Sequence, residues 1–224
     1  MHSRQSFDVE LTALSDSLIR MGATATNAID RAILALSKGD KALARQVMED
    51  DNQIDDMERD IEQRCLRLLL KQQPVAGDLR KISTAIKMIT DIERIGDAAA
   101  DIAEISLQLN TPTHPEIAFD IRAMVVAARG MVRGAIDAYV KGDLELARRT
   151  REIDDVIDSY FLKIRAALGE KMWTNTAQMY EVMDEIMDYL MIIKYLERIG
   201  DHAENICEWV EFYKTGIHKD ERIM

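Results

Sequence analysis

Apolar residues recur along this chain at alternating spacings of three and four, the period of a helix that lays one stripe on a core. The first stripe is Leu11, Leu14, Leu18, Met21, Ala25, Ala28, Ala32 and Ala35. A later one, Ile117, Ile121, Met124, Ala128, Met131, Ala135 and Ala138, keeps the same register. Such seams predict long helices packed in coiled-coil fashion. Two further stripes follow, Ala44, Val47, Asp51, Ile54, Glu58, Ile61, Cys65 and Leu68, and Ala147, Thr150, Asp154, Ile157, Phe161, Ile164 and Leu168. A third pair is Ile82, Ala85, Ile89, Ile92, Gly96, Ala99 and Ala103, and Ile186, Tyr189, Ile193, Leu196, Gly200, Ala203 and Cys207. Between the first and second stripes stand Lys38-Gly39-Asp40 and Lys141-Gly142-Asp143. There Gly can close one helix in the left-handed conformation and Asp can cap the next. The second helices are expected to end near Gln72 and Leu168, with Pro74 and Gly169 marking the turns.

These stripes are two copies of one pattern. A shift of 103 positions (38 to 141) superposes the Lys-Gly-Asp corners, and also Glu49 on Glu152, Asp51 on Asp154 and Asp55 on Asp158. A shift of 104 (93 to 197) superposes Glu93-Arg94-Ile95-Gly96-Asp97 on Glu197-Arg198-Ile199-Gly200-Asp201. The expected organisation is therefore a three-helix repeat over 1–109, a linker over 110–115 and a second repeat over 116–224. The linker Asn110-Thr111-Pro112-Thr113-His114-Pro115 disfavours helix at its X-Pro bonds. The fold class is all-α, two antiparallel three-helix bundles with six long helices side by side.

Composition agrees. The 224 residues include only 3 Pro and 10 Gly, and 13 Met against 4 Phe and 2 Trp. Helix formers dominate and breakers are few. With 29 basic and 40 acidic residues the net charge is -11, which excludes a general nucleic-acid binder, because phosphate contacts need a basic face. No stretch offers the ~20 apolar residues a bilayer span requires, and MHSRQSFDVE lacks the apolar core of a secretion signal. Cys65 and Cys207 fall on seam positions and make no disulfide framework, so a reducing cytoplasm is the expected compartment.

The acids carry the chemistry. Asp51 and Asp154 sit inside otherwise apolar seams, at the same place in both copies. A lone buried carboxylate costs several kcal/mol unless it is paired, protonated or bound to metal. One turn on come Asp55 and Asp158, nearly on the same face. The third helices add Glu93 and Asp97, and Glu197 and Asp201, each one residue beyond a seam position. Gly96 and Gly200, costing about 1 kcal/mol each mid-helix, suggest close approach by a backbone or an inorganic group. The candidate sites are Asp51, Asp55, Glu93 and Asp97, then Asp154, Asp158, Glu197 and Asp201. All-oxygen donor sets favour hard ions such as iron, manganese or magnesium. Asp101 and Glu104, with Asn205 and Glu208, continue these faces.

The bland alternative is a solvated Asp-x-x-x-Asp face, or a seam Asp neutralised by Arg80, Arg94 or Arg198. Repetition of the constellation on two helices per copy favours metal. His202 reads as a rim residue, the methionines as core filler, and Trp173 and Trp209 as packing anchors. No phosphate loop of the Walker type and no nucleophile elbow is present. None of the 4 His follows a Glu by three residues, which argues against a ferritin-like iron store or carboxylate-cluster oxidase, the alternative reading of the acidic clusters.

The doubled Glu-Arg-Ile-Gly-Asp motif, followed in the second copy by Ala203-Glu204-Asn205-Ile206-Cys207-Glu208, resembles the PhoU family, the phosphate-transport accessory regulators of bacteria. So do Lys71-Gln72-Gln73-Pro74 and Asp78-Leu79-Arg80 in the first copy. The second copy has Gln178 and Val182-Met183-Asp184 instead, so contacts of that loop should not be mirrored. The resemblance runs from about Phe7 to Tyr213. It implies a non-enzymatic, cytoplasmic negative regulator of phosphate uptake and of the phosphate-starvation response. Its implied partners are the ATPase subunit of the phosphate ABC transporter and the phosphate-sensing histidine kinase, reached at the membrane through protein contacts. It also implies metal at the acidic motifs, iron first, with zinc, manganese or magnesium as alternatives, and a homodimer.

Overall fold

The computed structural model describes residues 2–72, 74–109, 115–174, 179–219 and 221–222. The elements are α1 (His2–Lys38), α2 (Lys41–Gln72), α3 (Ala76–Gln108), α4 (Pro115–Lys141), α5 (Leu144–Arg151), α6 (Asp154–Thr174), α7 (Met179–Thr215), β1 (Ile217–His218) and β2 (Glu221–Arg222). The expected corners form as read. Gly39 and Gly142 take φ of 63° and 61°. The carboxylates of Asp40 and Asp143 accept from the backbone N–H of Leu43 and Leu146, each at 3.0 Å. These caps satisfy donors that a helix start leaves open.

In the first half α1, α2 and α3 pack on one another; in the second, α4 and α7 pack with the α5–α6 segment. The seams of α1, α3, α4 and α7 are buried, with Ala28 half-buried. The halves join through α3 against α7 and α1 against α4. Helices α3 and α7 run antiparallel there: Arg80 Nε donates to the Tyr213 carbonyl at 3.1 Å, Thr84 Oγ1 to the Trp209 carbonyl at 3.2 Å, and His202 Nδ1 lies 2.9 Å from Asp91 Oδ1. This contact buries a second face of each helix, Met88, Ile95 and Ile102 on α3 and Ile192, Ile199 and Ile206 on α7.

Two expectations need correction. The second helix of the second copy is not continuous; it breaks at Glu152 and Ile153 into α5 and α6. The Ile153 N–H bonds to the Thr150 carbonyl at 3.2 Å, a tightened turn. Thr150 and Arg151, in place of Val47 and Met48, stand at this break: Thr150 presses on Gly134, where a Cβ would lie 2.5 Å from its Oγ1, and Arg151 reaches α7. Second, Gly169 makes no turn, and α6 runs on to Thr174. Lys171 Nζ ties this last stretch to Glu185 of α7 at 3.0 Å, and one mid-helix glycine costs only ~1 kcal/mol, too little to end the helix. Beyond α7, β1 and β2 form a short two-stranded hairpin, with Ile217 opposite Arg222, which leaves the all-α class unchanged. Of the linker read at 110–115, only Pro115 is described; it is the first residue of α4, where its missing N–H costs nothing. The side chains of Trp173, Gln178 and Val182 lie outside the described residues.

Candidate metal centres

Each candidate centre is built around one contact. Helix α2 points Asp51 and Ile54 at α3, and the space that receives them is Gly96. A Cβ there would lie 2.6 Å from Ile54 Cδ1 and 3.0 Å from Asp51 Oδ1. The second half repeats the arrangement: a Cβ on Gly200 would lie 2.8 Å from both Asp154 Oδ1 and Ile157 Cδ1. The mid-helix glycines are therefore explained by close approach of a carboxylate and an isoleucine from the facing helix.

The electrostatics separate the eight acids into two sets of four. Burial pushes the Asp51 carboxyl up to about 6, helped by the charges of Asp97, Asp55 and Asp101. Burial likewise lifts Glu93 to about 7, with Asp97, Glu58 and Asp55 pushing the same way and Arg94 opposing. In the second half burial raises Asp154 to about 6, with Glu204, Asp158, Asp201 and Glu197 adding to it. Asp201 is raised by burial and by Glu197, with Lys194 and His202 opposing. Negative groups crowded and partly desolvated in this way bind protons, or cations, more readily than isolated carboxylates.

Two oxygens identify where a cation would relieve the most. Asp154 Oδ1 is buried without a hydrogen-bond partner among the described residues. Glu93 Oε2 is also buried and unbonded, lying 3.3 Å from Arg94 Nε without hydrogen-bond alignment. Hard oxygen donors of this kind suit iron, manganese or magnesium. As placed, no three His, Cys, Asp or Glu side chains among the described residues converge on one point. Two of the carboxylates pair with cations of their own helix: Arg94 Nη1 holds Asp97 at 3.0 Å, and Lys194 holds Glu197. Asp158 is exposed, and Asp201, although partly desolvated, still opens to solvent.

Neutralisation of the seam aspartates by arginine does not occur among the described residues. Arg80 serves the Tyr213 carbonyl, Arg94 serves Glu93 and Asp97, and Arg198 lies over the Tyr195 ring. The extensions of the faces are mixed. Asp101 acts on Asp51 and bonds Tyr195, whereas Asn205 Nδ2 donates to Asp91 at 3.4 Å. Glu208 joins Arg151 and Lys219. His202 is held by Asp91 at the junction of the halves. Sequence reasoning missed Glu58, which accepts from Thr90 Oγ1 at 3.1 Å, and Glu204, which accepts twice from Arg151. Glu58 was legible as a second acid in the α2 seam, and Glu204 as three residues beyond Asp201 on the same face. The thiols of Cys65 and Cys207 are buried and pushed up to about 12, inert core groups as expected.

The PhoU domain matches this chain twice, over residues 18–106 and 121–210. The phosphate-specific transport system accessory protein PhoU homolog of Clostridium acetobutylicum is 36% identical over 219 residues, covering 97% of this chain and 98% of that one. Its counterpart in Pseudomonas aeruginosa is 34% identical over 96% of this chain and 88% of its own. The crystal structure of PhoU from Pseudomonas aeruginosa superposes with a TM-score of 0.86 at 33% identity, covering 94% of this chain and all (100%) of that one. The phosphate transport system regulatory protein PhoU from Streptococcus pneumoniae superposes with a TM-score of 0.85 at 28% identity, over 96% and 100%. A doubled helical bundle with matched acidic motifs, two domain matches and full-length relatives together make this chain a member of the PhoU family, the accessory proteins of phosphate transport.

Proposed function

We propose that this protein is a negative regulator of phosphate uptake and of the phosphate-starvation response, acting as a metal-binding adaptor between the phosphate ABC transporter and the phosphate-sensing histidine kinase. The observation that carries the metal part is the doubled approach of a seam aspartate to a helix glycine, Asp51 to Gly96 and Asp154 to Gly200, with carboxylate oxygens left unbonded in each half. Asp51, Asp55, Glu93 and Asp97 would hold metal in the first half, and Asp154, Asp158, Glu197 and Asp201 in the second. A bound ion would supply positive charge that offsets the crowded carboxylates.

The adaptor part rests on family membership and on shape. No described helix is long and apolar enough to cross a membrane. A net charge of -11 disfavours direct adhesion to anionic lipid, so membrane recruitment runs through protein contacts. Long helices offer a broad surface for a partner, and the protein acts without catalysis, as a cytoplasmic homodimer. Deleting the gene should leave phosphate-starvation promoters active in rich phosphate, read by a reporter fusion. The transporter ATPase or the kinase should co-purify with the protein, less so as salt rises, because exposed charge pairs are screened over about 8–10 Å. Normal repression in the deletion strain, with neither partner recovered at any salt, would overturn the reading.

A further inference from the structure

We infer that the outward face of α7 in the second half, beside α6, docks a basic amphipathic helix of a partner protein. Met183, Met187 and Met191 are 40%, 53% and 43% exposed. Spaced four apart, they form one stripe along about 12 Å of helix. The core of α7 is carried by other residues, Ile186, Tyr189, Ile193 and Leu196. On α6, Leu162 is 53% exposed.

The internal repeat is a control for what this fold requires. The positions matching Met183, Met187 and Met191 are Leu79, Ser83 and Lys87, and the position matching Leu162 is Arg59. Leu79 is apolar and half-buried, but Ser83, Lys87 and Arg59 are polar, so the same bundle forms with polar residues at three of the four positions. At Met187, Met191 and Leu162 the apolar side chain therefore answers no folding need. Exposed apolar stripes mark docking sites, and methionine adapts its flexible thioether to varied partner shapes.

Charge selects the occupant. Asp184 and Asp188 flank the stripe one turn apart, and Lys194, the exposed cation that follows Met191 on the same face, is already held by Glu197. Burial and the Asp184 charge both disfavour the ionised form of Asp188. Further along α7 stand exposed Arg198, over the Tyr195 ring, and exposed Asp201. Lysine or arginine from an occupant offsets these charges, while its apolar residues at i, i+4 and i+7 meet the methionines. A second copy of this acidic chain would bring like charge to the same place, and an anionic lipid surface would be repelled. The inference rests on the adaptor reading only in requiring a partner.

The test uses the full chain labelled with carbon-13 in its methionine methyl groups. A synthetic Leu/Lys amphipathic helix of about five turns, its Leu/Glu counterpart and anionic vesicles are the probes. The Leu/Lys peptide should shift the Met183, Met187 and Met191 methyl resonances saturably, and the Leu/Glu peptide should not. Met187→Ser with Met191→Lys installs the residues of the first repeat. It should weaken peptide binding tenfold or more while the melting temperature stays unchanged. Equal binding of both peptides, shifts spread evenly to buried Met21, Met88 and Met131, or full binding by the double variant would overturn the inference. So would shifts of the stripe caused by vesicles, or by protein concentration alone. Co-purification of transporter or kinase with the double variant separates the two readings: partners retained without peptide binding reject this surface and leave the adaptor standing.

Discussion

Replacing Asp51 by Asn should stabilise the metal-free protein and do so most at alkaline pH. Burial, Asp97, Asp55 and Asp101 lift the Asp51 carboxyl from an ordinary 3.8 to about 6. An acid whose folded value lies above its unfolded value binds protons more tightly when folded. Below 3.8 both states are protonated and the group is neutral toward stability. Between 3.8 and 6 the folded state keeps a proton that the unfolded state has lost, so stability falls as pH rises. Above 6 the full cost is present, about 3 kcal/mol if taken whole at ~1.4 kcal/mol per tenfold, and about 1–2 kcal/mol once solvent screening of a half-buried group is allowed for. Asn keeps the shape and removes the charge. Urea unfolding of EDTA-treated protein should therefore show Asp51→Asn more stable than wild type by about 1–2 kcal/mol at pH 8, and by less than half of that at pH 4.5. For a chain of this size the alkaline gain is about 2–8 °C in melting temperature. With metal present the sign should reverse, because Asn is a poorer ligand for a hard cation. A chelated variant no more stable than wild type at pH 8 would refute the claim that Asp51 is an uncompensated charge.

Asp51→Ala with Asp97→Ala should remove the metal of the first half and leave that of the second, read by elemental analysis alongside the melting temperature; unchanged content would reject the site assignment. Gly200→Ala should destabilise by up to about 2 kcal/mol, because overpacking against Asp154 and Ile157 exceeds the ~1 kcal/mol helical gain. Gly169→Ala, at a site with nothing within 4 Å of the new Cβ, should instead stabilise by up to about 1 kcal/mol, and thermal unfolding of the pair checks both signs. Arg151→Met, the residue of the first repeat at Met48, should cost about 1 kcal/mol at low salt and less at high salt, since it strands Glu204 and leaves Glu208 and Glu211 with only Lys219 and Arg148.

Sequence alone determined the helices, their seams and the two-copy plan, because a 3.6-residue period and a Gly-Asp corner are local properties that need no knowledge of neighbours. It also placed Asp51 and Asp154 in apolar seams and singled out Gly96 and Gly200. Tertiary structure alone decided what those glycines receive, a facing aspartate and isoleucine, because that depends on the distance between helix axes. Partner choice was equally illegible: Arg94 and Arg198 occur in identical motifs, yet one holds two carboxylates and the other lies over a tyrosine ring. The break at Glu152 and Ile153 and the continuity of α6 through Gly169 reverse local expectation; Thr150, Arg151 and Lys171 contact other helices at these places, and propensities of about 1 kcal/mol are small enough for tertiary context to override. The second buried face of α3 and α7 could be assigned to the joint between the halves only once both bundles stood together, for a stripe of isoleucines records that it is covered and carries no mark of which helix covers it.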